Sequence, residues 1–242
     1  MTRRTAVVTG GSSGIGLACG RMLAEAGYDV VLTARRAEPL QAAADAVGAR
    51  WVAGDSAEVD SFAAVVAACE RVDVLVHAAG VLDGDFVRKE SVDTFDAIIR
   101  TNLRSAFVVS SAVLPVMPER GRMVFLSSSS AHAPQPGRAA YSASKAGLNA
   151  FAGALAKEVE RDGINVHVVT TGPVATPMLD DVRFPMLALT PDDVARTVVW
   201  LDSLPPSVAL FEVAVESVQQ GPFAPAAFVP EAARKLGRTE IS

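Results

Sequence analysis

A phenol, an ammonium and a hydroxyl stand at spacings that suit proton transfer. Tyr141 and Lys145 are four residues apart, which on a helix places them on one face. A phenol with a pKa near 10 is a poor acid or base at neutral pH. A cation beside it favours the phenolate, and a shift of about 3 units needs about 4 kcal/mol of differential interaction. Ser128 lies thirteen residues before Tyr141. Its hydroxyl could hold a substrate oxygen while Tyr141 moves the proton. The chain has only two tyrosines, Tyr28 and Tyr141, so the coincidence of spacing carries weight. The plain alternative is an ordinary helix pair beside a polar serine loop. Within the run Ser127–Ser130, the spacing selects Ser128 and leaves Ser127, Ser129 and Ser130 as packing or pocket wall.

A second cluster sits near the N-terminus: Thr9, Gly10, Gly11, Ser12, Ser13, Gly14, Ile15, Gly16. It follows an apolar run and precedes a helical pattern. Unpaired N–H groups and partial positive charge at a helix start suit a pyrophosphate. The glycines allow the tight turn and the close approach of backbone to ligand. In this position the cluster reads as a dinucleotide-binding turn, with Thr9, Gly10, Ser12, Ser13, Gly14, Ile15 and Gly16 around the cofactor.

These residues must be positioned by strands and helices that alternate. Short apolar strands are expected at Ala6–Thr9, Val30–Thr33, Trp51–Ala53, Val72–Val76, Met123–Leu126, Val166–Val169 and Phe211–Val215. Helices are expected at Ile15–Ala26, Ala37–Val47, Ser61–Cys69, Asp93–Met117 and Ala139–Val159, and from Pro191 to about Leu201 with Thr190 as N-cap. Strands this apolar are covered on both faces. The expectation is an α/β, single-domain Rossmann fold, a doubly wound parallel sheet of about seven strands with helices on both faces. Residues 1–242 form one dinucleotide-binding and catalytic domain, and 221–242 form an irregular C-terminal tail.

Together these motifs resemble the short-chain dehydrogenase/reductase family, whose nucleotide motif is Thr-Gly-x-x-x-Gly-x-Gly. His77-Ala78-Ala79-Gly80 stands where that family has Asn-Ala-Gly or Asn-Asn-Ala-Gly. Thr101-Asn102-Leu103 matches the family's helix asparagine, and Tyr141-x-x-x-Lys145 follows Ser128 at family spacing. Thr171 to Thr176 occupies the Pro-Gly-x-x-x-Thr segment. The resemblance covers roughly residues 5–220. It implies that Asn102, Ser128, Tyr141 and Lys145 are catalytic, with hydride transfer between a ketone and a secondary alcohol. It also implies that Lys145 binds the nicotinamide ribose and that Asn102 holds a water linking Lys145 to solvent. The positive nicotinamide ring would add to the lysine's pull on the phenol. Ala78, Ala79, Gly80, Gly172, Val174 and Thr176 would line the cofactor, with Tyr141 and Lys145 beside it. Asp55 would bind adenine with Ser56 as backbone partner, an N-cap role being the alternative for either residue. His77 departs from the family asparagine and puts its side-chain bonds in doubt.

The cofactor is read at the end of the second strand. Ala34 stands where NAD-using members carry Asp, and Arg35 and Arg36 follow. Guanidinium suits a phosphate dianion, so NADP(H) is expected with NAD(H) possible, Arg35 being the first choice of contact. Ser13 sits where many NADP-using relatives have a second basic residue. Solvated charges at a helix start are the alternative for Arg35 and Arg36. The region Leu204–Gln219 loosely resembles the branch that oxidises serine and other 3-hydroxy acids, and it lacks the Gly-Gly ending of ketoacyl reductases.

Composition closes off other classes. The chain has 242 residues, with 22 Lys plus Arg against 27 Asp plus Glu, a net charge of −5. That balance argues against nucleic-acid binding. Cys19 and Cys69 cannot make a disulfide framework, which places the chain in the cytoplasm by expectation. Mean hydropathy is +0.30, yet no apolar run approaches the roughly 20 residues of a membrane span. His77, His132 and His167 lie on separate segments, so no metal site is expected. His132 could face substrate or sit on a surface loop, and His167 reads as structural. Arg183 could meet a substrate anion, a surface ion pair being preferred. A Ser128–histidine–Asp180 hydrolase triad lacks the nucleophile elbow. A cofactor-binding regulator or scaffold without turnover is the alternative function, and a nucleotide-sugar epimerase lacks room for its C-terminal domain. By resemblance the partner is a second copy, in a homodimer or homotetramer built through Asp93–Met117 and Ala139–Val159.

Overall fold

The computed structural model describes residues 3–219, 225 and 227–240. Its strands are β1 (Thr5–Thr9), β2 (Asp29–Ala34), β3 (Arg50–Ala53), β4 (Val74–His77), β5 (Arg122–Ser128), β6 (Asn165–Thr171), β7 (Met186–Leu187), β8 (Glu212–Val215) and β9 (Ala227–Phe228). Its helices are α1 (Gly14–Glu25), α2 (Ala37–Val47), α3 (Val59–Ala67), α4 (Val92–Ile99), α5 (Ser105–Val113), α6 (Ala139–Val159), α7 (Pro191–Ser203) and α8 (Glu231–Lys235).

Seven strands form one sheet in the order β3-β2-β1-β4-β5-β6-β8. All six pairings are parallel. The order reverses between β1 and β4, where Thr9 lies opposite His77. Open α/β sheets bind ligands at such a switch point, beyond the carboxyl ends of the strands.

Strand residues alternate between two cores, as the pleat requires. Val7, Leu75, Phe125 and Val168 pack with α3, α5 and α6. Ala6, Val8, Val76, Leu126 and Val169 pack with α1, α2 and α7 on the opposite face. With a cover on both faces the central strands carry apolar residues at every position. That is why they read as continuous runs rather than as an alternating pattern. Helix ends follow local chemistry. Gly48 ends α2 at φ 67°. Thr190 and Asp193 form a capping box at the start of α7.

Three expectations change. The single helix anticipated over Asp93–Met117 is α4 and α5 joined by a π-helical turn, Arg100–Arg104, and closed by a 3-10 turn, Leu114–Val116. This run, Val92–Val116, is long and apolar enough by length and composition to cross a membrane, contrary to the reading that no such run exists. Its Ala106, Val108, Val109 and Val113 are spent on the core. The tail expected to be irregular contributes β9, which pairs antiparallel with β7, and α8, whose Ala232 N–H donates to Asp180 O at 2.8 Å.

Candidate active site

The glycine turn is shaped by contact. Gly10 has φ 67°, and a Cβ there would lie 2.9 Å from the backbone of both Ala78 and Ala79. A Cβ on Gly16 would lie 2.3 Å from Gly10 O. Side chains at these two places would collide with backbone, so the glycines are what let the turn pack against Ala78 and Ala79 and close on itself. Ser13 is the N-cap of α1, but its side chain makes no cap bond. Its hydroxyl is therefore not spent on the helix. Thr176 closes over the turn: its Cγ2 would lie 3.0 Å from a Cβ on Gly14. Val174 is buried in the sheet core. Gly172 N–H donates to Val215 O at 3.2 Å.

Arg35 and Arg36 follow β2, are exposed, and make no ion pair among the described residues. Two cations left open at the adenosine end suit a phosphate dianion. Asp55 is more committed than the sequence implied. Its Oδ1 accepts from Ala57 N at 2.9 Å, and its Oδ2 accepts from Arg100 Nη2 at 2.7 Å. Burial pushes the Asp55 pKa up, but the Ala57 amide, Arg100 and Arg35 together hold it below the usual value. The N-cap of α3 is Glu58, so neither Asp55 nor Ser56 has that role.

The candidate proton-transfer residues converge at the ends of β4 and β5. Tyr141 and Lys145 are both buried on α6. Lys145 Nζ stands 5.9 Å from the Tyr141 ring centroid and donates to Leu126 O at 2.8 Å. Ser128 Oγ accepts from Ser130 N at 3.2 Å, which leaves its O–H free to donate. Ser127 is turned away, donating to Asn149 Oδ1 at 2.6 Å.

The electrostatics differ from expectation. Burial raises the Tyr141 pKa above its ordinary value, and the opposing pull of the Ser128 hydroxyl and then of the Arg138 cation does not overcome it. Lys145, with a bound nicotinamide ring, is the expected lowering charge; in the chain alone its ammonium is directed at the Leu126 carbonyl. Burial lowers its own pKa to about 8. Arg138, at the N-cap of α6 and one turn before Tyr141, was not singled out in the sequence. Its spacing to the phenol was the available signal.

Asn102 is fully buried in the π-helical turn. Its Oδ1 accepts from Val81 N at 2.8 Å, and its Nδ2 donates to Val81 O and to Ser144 Oγ, each at 3.0 Å. Ser144 Oγ in turn donates to Tyr141 O at 2.7 Å. A Cβ on Gly80 would lie 3.3 Å from Asn102 Oδ1 and 3.7 Å from Lys145 Nζ, so the two side chains flank one point.

The remaining candidates fall outside this group. His132 is exposed and meets Glu212 Oε1 at 2.6 Å, turned toward the edge strand. Arg183 makes no ion pair among the described residues, so the preferred surface pair is absent there. Its carbonyl accepts from Arg238 Nη1 at 3.1 Å. His167 is buried between Arg122 Nη1 at 3.2 Å and Leu210 O at 2.7 Å. Among the described residues no group of three or more His, Cys, Asp or Glu side chains could hold a metal ion.

Three comparisons bear on this site. The family model for short chain dehydrogenase matches residues 4–185. Acetoacetyl-CoA reductase of Cupriavidus necator is 36% identical over 226 residues, covering 84% of this chain and 92% of that protein. The 3-oxoacyl-acyl-carrier-protein reductase FabG of Escherichia coli is 34% identical over 219 residues, covering 83% and 90%. A short chain dehydrogenase from Burkholderia cenocepacia, solved in complex with NADP, superposes with a TM-score of 0.80 at 31% identity, covering 88% and 96%.

The buried rings set a pH dependence. Burial lowers the His77 pKa to about 3, with Lys145 adding to the effect, and lowers that of His167 as well. Once unfolded, both rings titrate near 6.5. Below that value the unfolded chain binds more protons than the folded one, so stability is full above about pH 6.5 and falls as pH drops below it. Well below 6.5 and above the folded value, each ring contributes a slope of about 1.4 kcal/mol per pH unit. Urea midpoints measured from pH 7.5 to 5 should decline, and His167→Asn should flatten the decline.

Proposed function

The chain belongs to the short chain dehydrogenase family, and on that premise we propose that it is an NADP(H)-dependent reductase of a ketone, with Tyr141 as the general acid and base. The observation that carries this reading is the buried Tyr141–Lys145 pair, with Ser128 beside the phenol, near the glycine-rich turn at the switch point. The N–H groups of the Gly10–Gly16 turn would hold the pyrophosphate. Arg35, Arg36 and Ser13 would read the 2′-phosphate. The backbone of Ala78–Gly80 and the Lys145 ammonium would face the nicotinamide ribose, with Gly172, Val174 and Thr176 closing the other side. When bound, the nicotinamide supplies a hydride to the carbonyl carbon or accepts one from the alcohol carbon.

The chain's own residues handle the proton. Ser128 O–H donates to the substrate oxygen and fixes its position. Tyr141 O–H, kept protonated by burial, gives its proton to that oxygen as negative charge develops there. The Ser128 hydroxyl and the Arg138 cation make the loss of that proton less costly. The relatives named for acetoacetyl-CoA and 3-oxoacyl substrates make a 3-oxoacyl compound the first substrate to try. The loose likeness at 204–219 to a 3-hydroxy acid branch agrees on oxygen at that carbon. The second reading is a nicotinamide-binding regulator without turnover, and a phenol kept protonated beside a free serine hydroxyl speaks against it.

We also propose a homo-oligomer built on α5 and α6. Phe107 on α5 is 58% exposed. A groove of about 910 Å³ runs along α6 past Ala150, Gly153, Ala154 and Phe211.

Fluorescence titration should give tighter binding of NADPH than of NADH. Arg35→Ala should weaken NADPH by about 10- to 100-fold, the worth of a charged hydrogen bond, and leave NADH unchanged. Tighter NADH binding would refute the cofactor assignment. Tyr141→Phe should keep NADPH affinity within about twofold and cut turnover by at least about 100-fold; steady-state turnover close to wild type would remove the phenol from the mechanism. Light scattering at micromolar concentration should report a dimer or tetramer, and a monomer would overturn the helix interface.

A further inference from the structure

One buried side chain outside the proton-transfer pair joins the two loops that frame the site. His77 ends β4 with 1% of its surface exposed. Both ring nitrogens have partners: Nδ1 lies 2.9 Å from Thr9 Oγ1, and Nε2 lies 3.0 Å from Ser105 Oγ. The neighbours assign the hydrogens. Ser105 Oγ donates to Thr101 O at 2.6 Å, so it accepts from the ring, and Nε2 carries the proton. Thr9 Oγ1 accepts from the amides of Ala78 at 3.2 Å and Ala79 at 3.1 Å. Its own proton then goes to Nδ1. One neutral tautomer satisfies every group.

The two arms end at different machinery. Through Thr9, the Nδ1 arm fixes the amides of Ala78 and Ala79 against the turn at Gly10, where backbone faces the cradle. Through Ser105, the Nε2 arm occupies the Thr101 carbonyl inside the π-helical turn. In that turn Ser105 N–H reaches back five residues to Arg100 O. A π turn disturbs the regular pattern of helical hydrogen bonds, and the Ser105 hydroxyl supplies Thr101 with a side-chain donor. The same turn carries Asn102, which ties Val81 to Ser144 and so to the backbone of Tyr141.

We infer that His77 is a positioning residue with two separable arms, Nδ1 setting the cofactor-facing backbone of Ala78–Gly80 and Nε2 setting the π turn that places Asn102 beside Lys145. The kinetic part of this rests on the nicotinamide-dependent turnover proposed above. A histidine that only filled the core would affect stability and leave both functions in proportion.

Two substitutions separate the arms. In His77→Asn the amide oxygen replaces Nδ1 as acceptor for Thr9, but the side chain is too short for Ser105. In His77→Gln the amide nitrogen reaches Ser105, and Thr9 loses its acceptor. Losing one neutral hydrogen bond corresponds to roughly two- to tenfold in an equilibrium or rate. His77→Asn should keep the NADPH Kd within about twofold and lower kcat by about tenfold, and Ser105→Ala should do the same. His77→Gln should raise the NADPH Kd by about tenfold and keep kcat within about twofold. Hydrogen exchange of the 100–106 amides, in protein without cofactor, should quicken in His77→Asn and Ser105→Ala and stay unchanged in His77→Gln. The inference is overturned if Kd and kcat move in the same proportion in both His77 variants, or if only Tm moves. Unchanged exchange in Ser105→Ala overturns the Nε2 arm even if the His77 variants fail to fold. If the wild-type protein binds neither NADPH nor NADH, the functional reading fails, and the exchange pattern still decides the role of His77 in the turn.

Discussion

The demand that organises this molecule is the burial of a charged amine. Among the described residues Lys145 has one protein acceptor, the Leu126 carbonyl at 2.8 Å, and burial lowers its pKa from 10.5 to about 8. At about 1.4 kcal/mol per unit, keeping the ammonium charged there costs roughly 3 kcal/mol. A residue filling the same space with methylenes would avoid that cost. Sites that give up stability in this way are characteristic of function. The site tolerates the charge because β5 ends beside α6 and leaves a carbonyl pointing at the amine. The rest of the stability comes from the two apolar layers on either side of the sheet.

The topology explains why the amine lies below the glycine cradle. β1 and β4 are neighbours in the sheet, but the chain leaves them toward opposite edges. Their carboxyl ends therefore open a crevice that no crossover fills. The turn after β1 forms one wall and Ala78–Gly80 forms the other. The two walls are kept in register by Thr9, whose hydroxyl accepts two amides from across the crevice. β5 brings Ser128 to the same level, and α6 returns over it with Tyr141 and Lys145 one turn apart. Gly80 allows Asn102 to approach closely, since a Cβ there would press on its Oδ1 at 3.3 Å.

Local rules made the scaffold and the candidate site legible. The strands between two cores had to be apolar throughout, and the glycine turn had to lack Cβ atoms where Gly10 meets Ala78 and Gly16 meets Gly10. The Tyr141–Lys145 spacing follows from helix geometry alone. What escaped the sequence depends on partners far apart in the chain. Nothing near Arg100–Arg104 announces a π turn, because its stabilising hydroxyl is held by a histidine 28 residues away. Asp55 looked free to meet adenine until Arg100, 45 residues on, took one of its oxygens. The tail seemed irregular because a two-residue strand has no periodicity to read, and β9 exists only through its pairing with β7.

The candidate phenol shows how far burial can outweigh helix adjacency in setting a side chain's electrostatics. Adjacency on the helix implied that Lys145, together with a bound nicotinamide ring, would favour the Tyr141 phenolate. The folded chain sends that ammonium to a carbonyl instead, and burial of the ring dominates. The pull that remains comes from a hydroxyl that can donate and from Arg138 at the mouth of α6. Before any ligand arrives, the site therefore stores its proton on Tyr141. In the proposed mechanism, reduction of a carbonyl would consume a protonated phenol, whereas oxidation of an alcohol would begin by emptying it against the cost of burial. The same low-dielectric setting that makes the resting phenolate expensive also strengthens any cation brought close to it. The charges present when substrate binds therefore weigh on the phenol, and among the described residues the cation that pulls on it is Arg138.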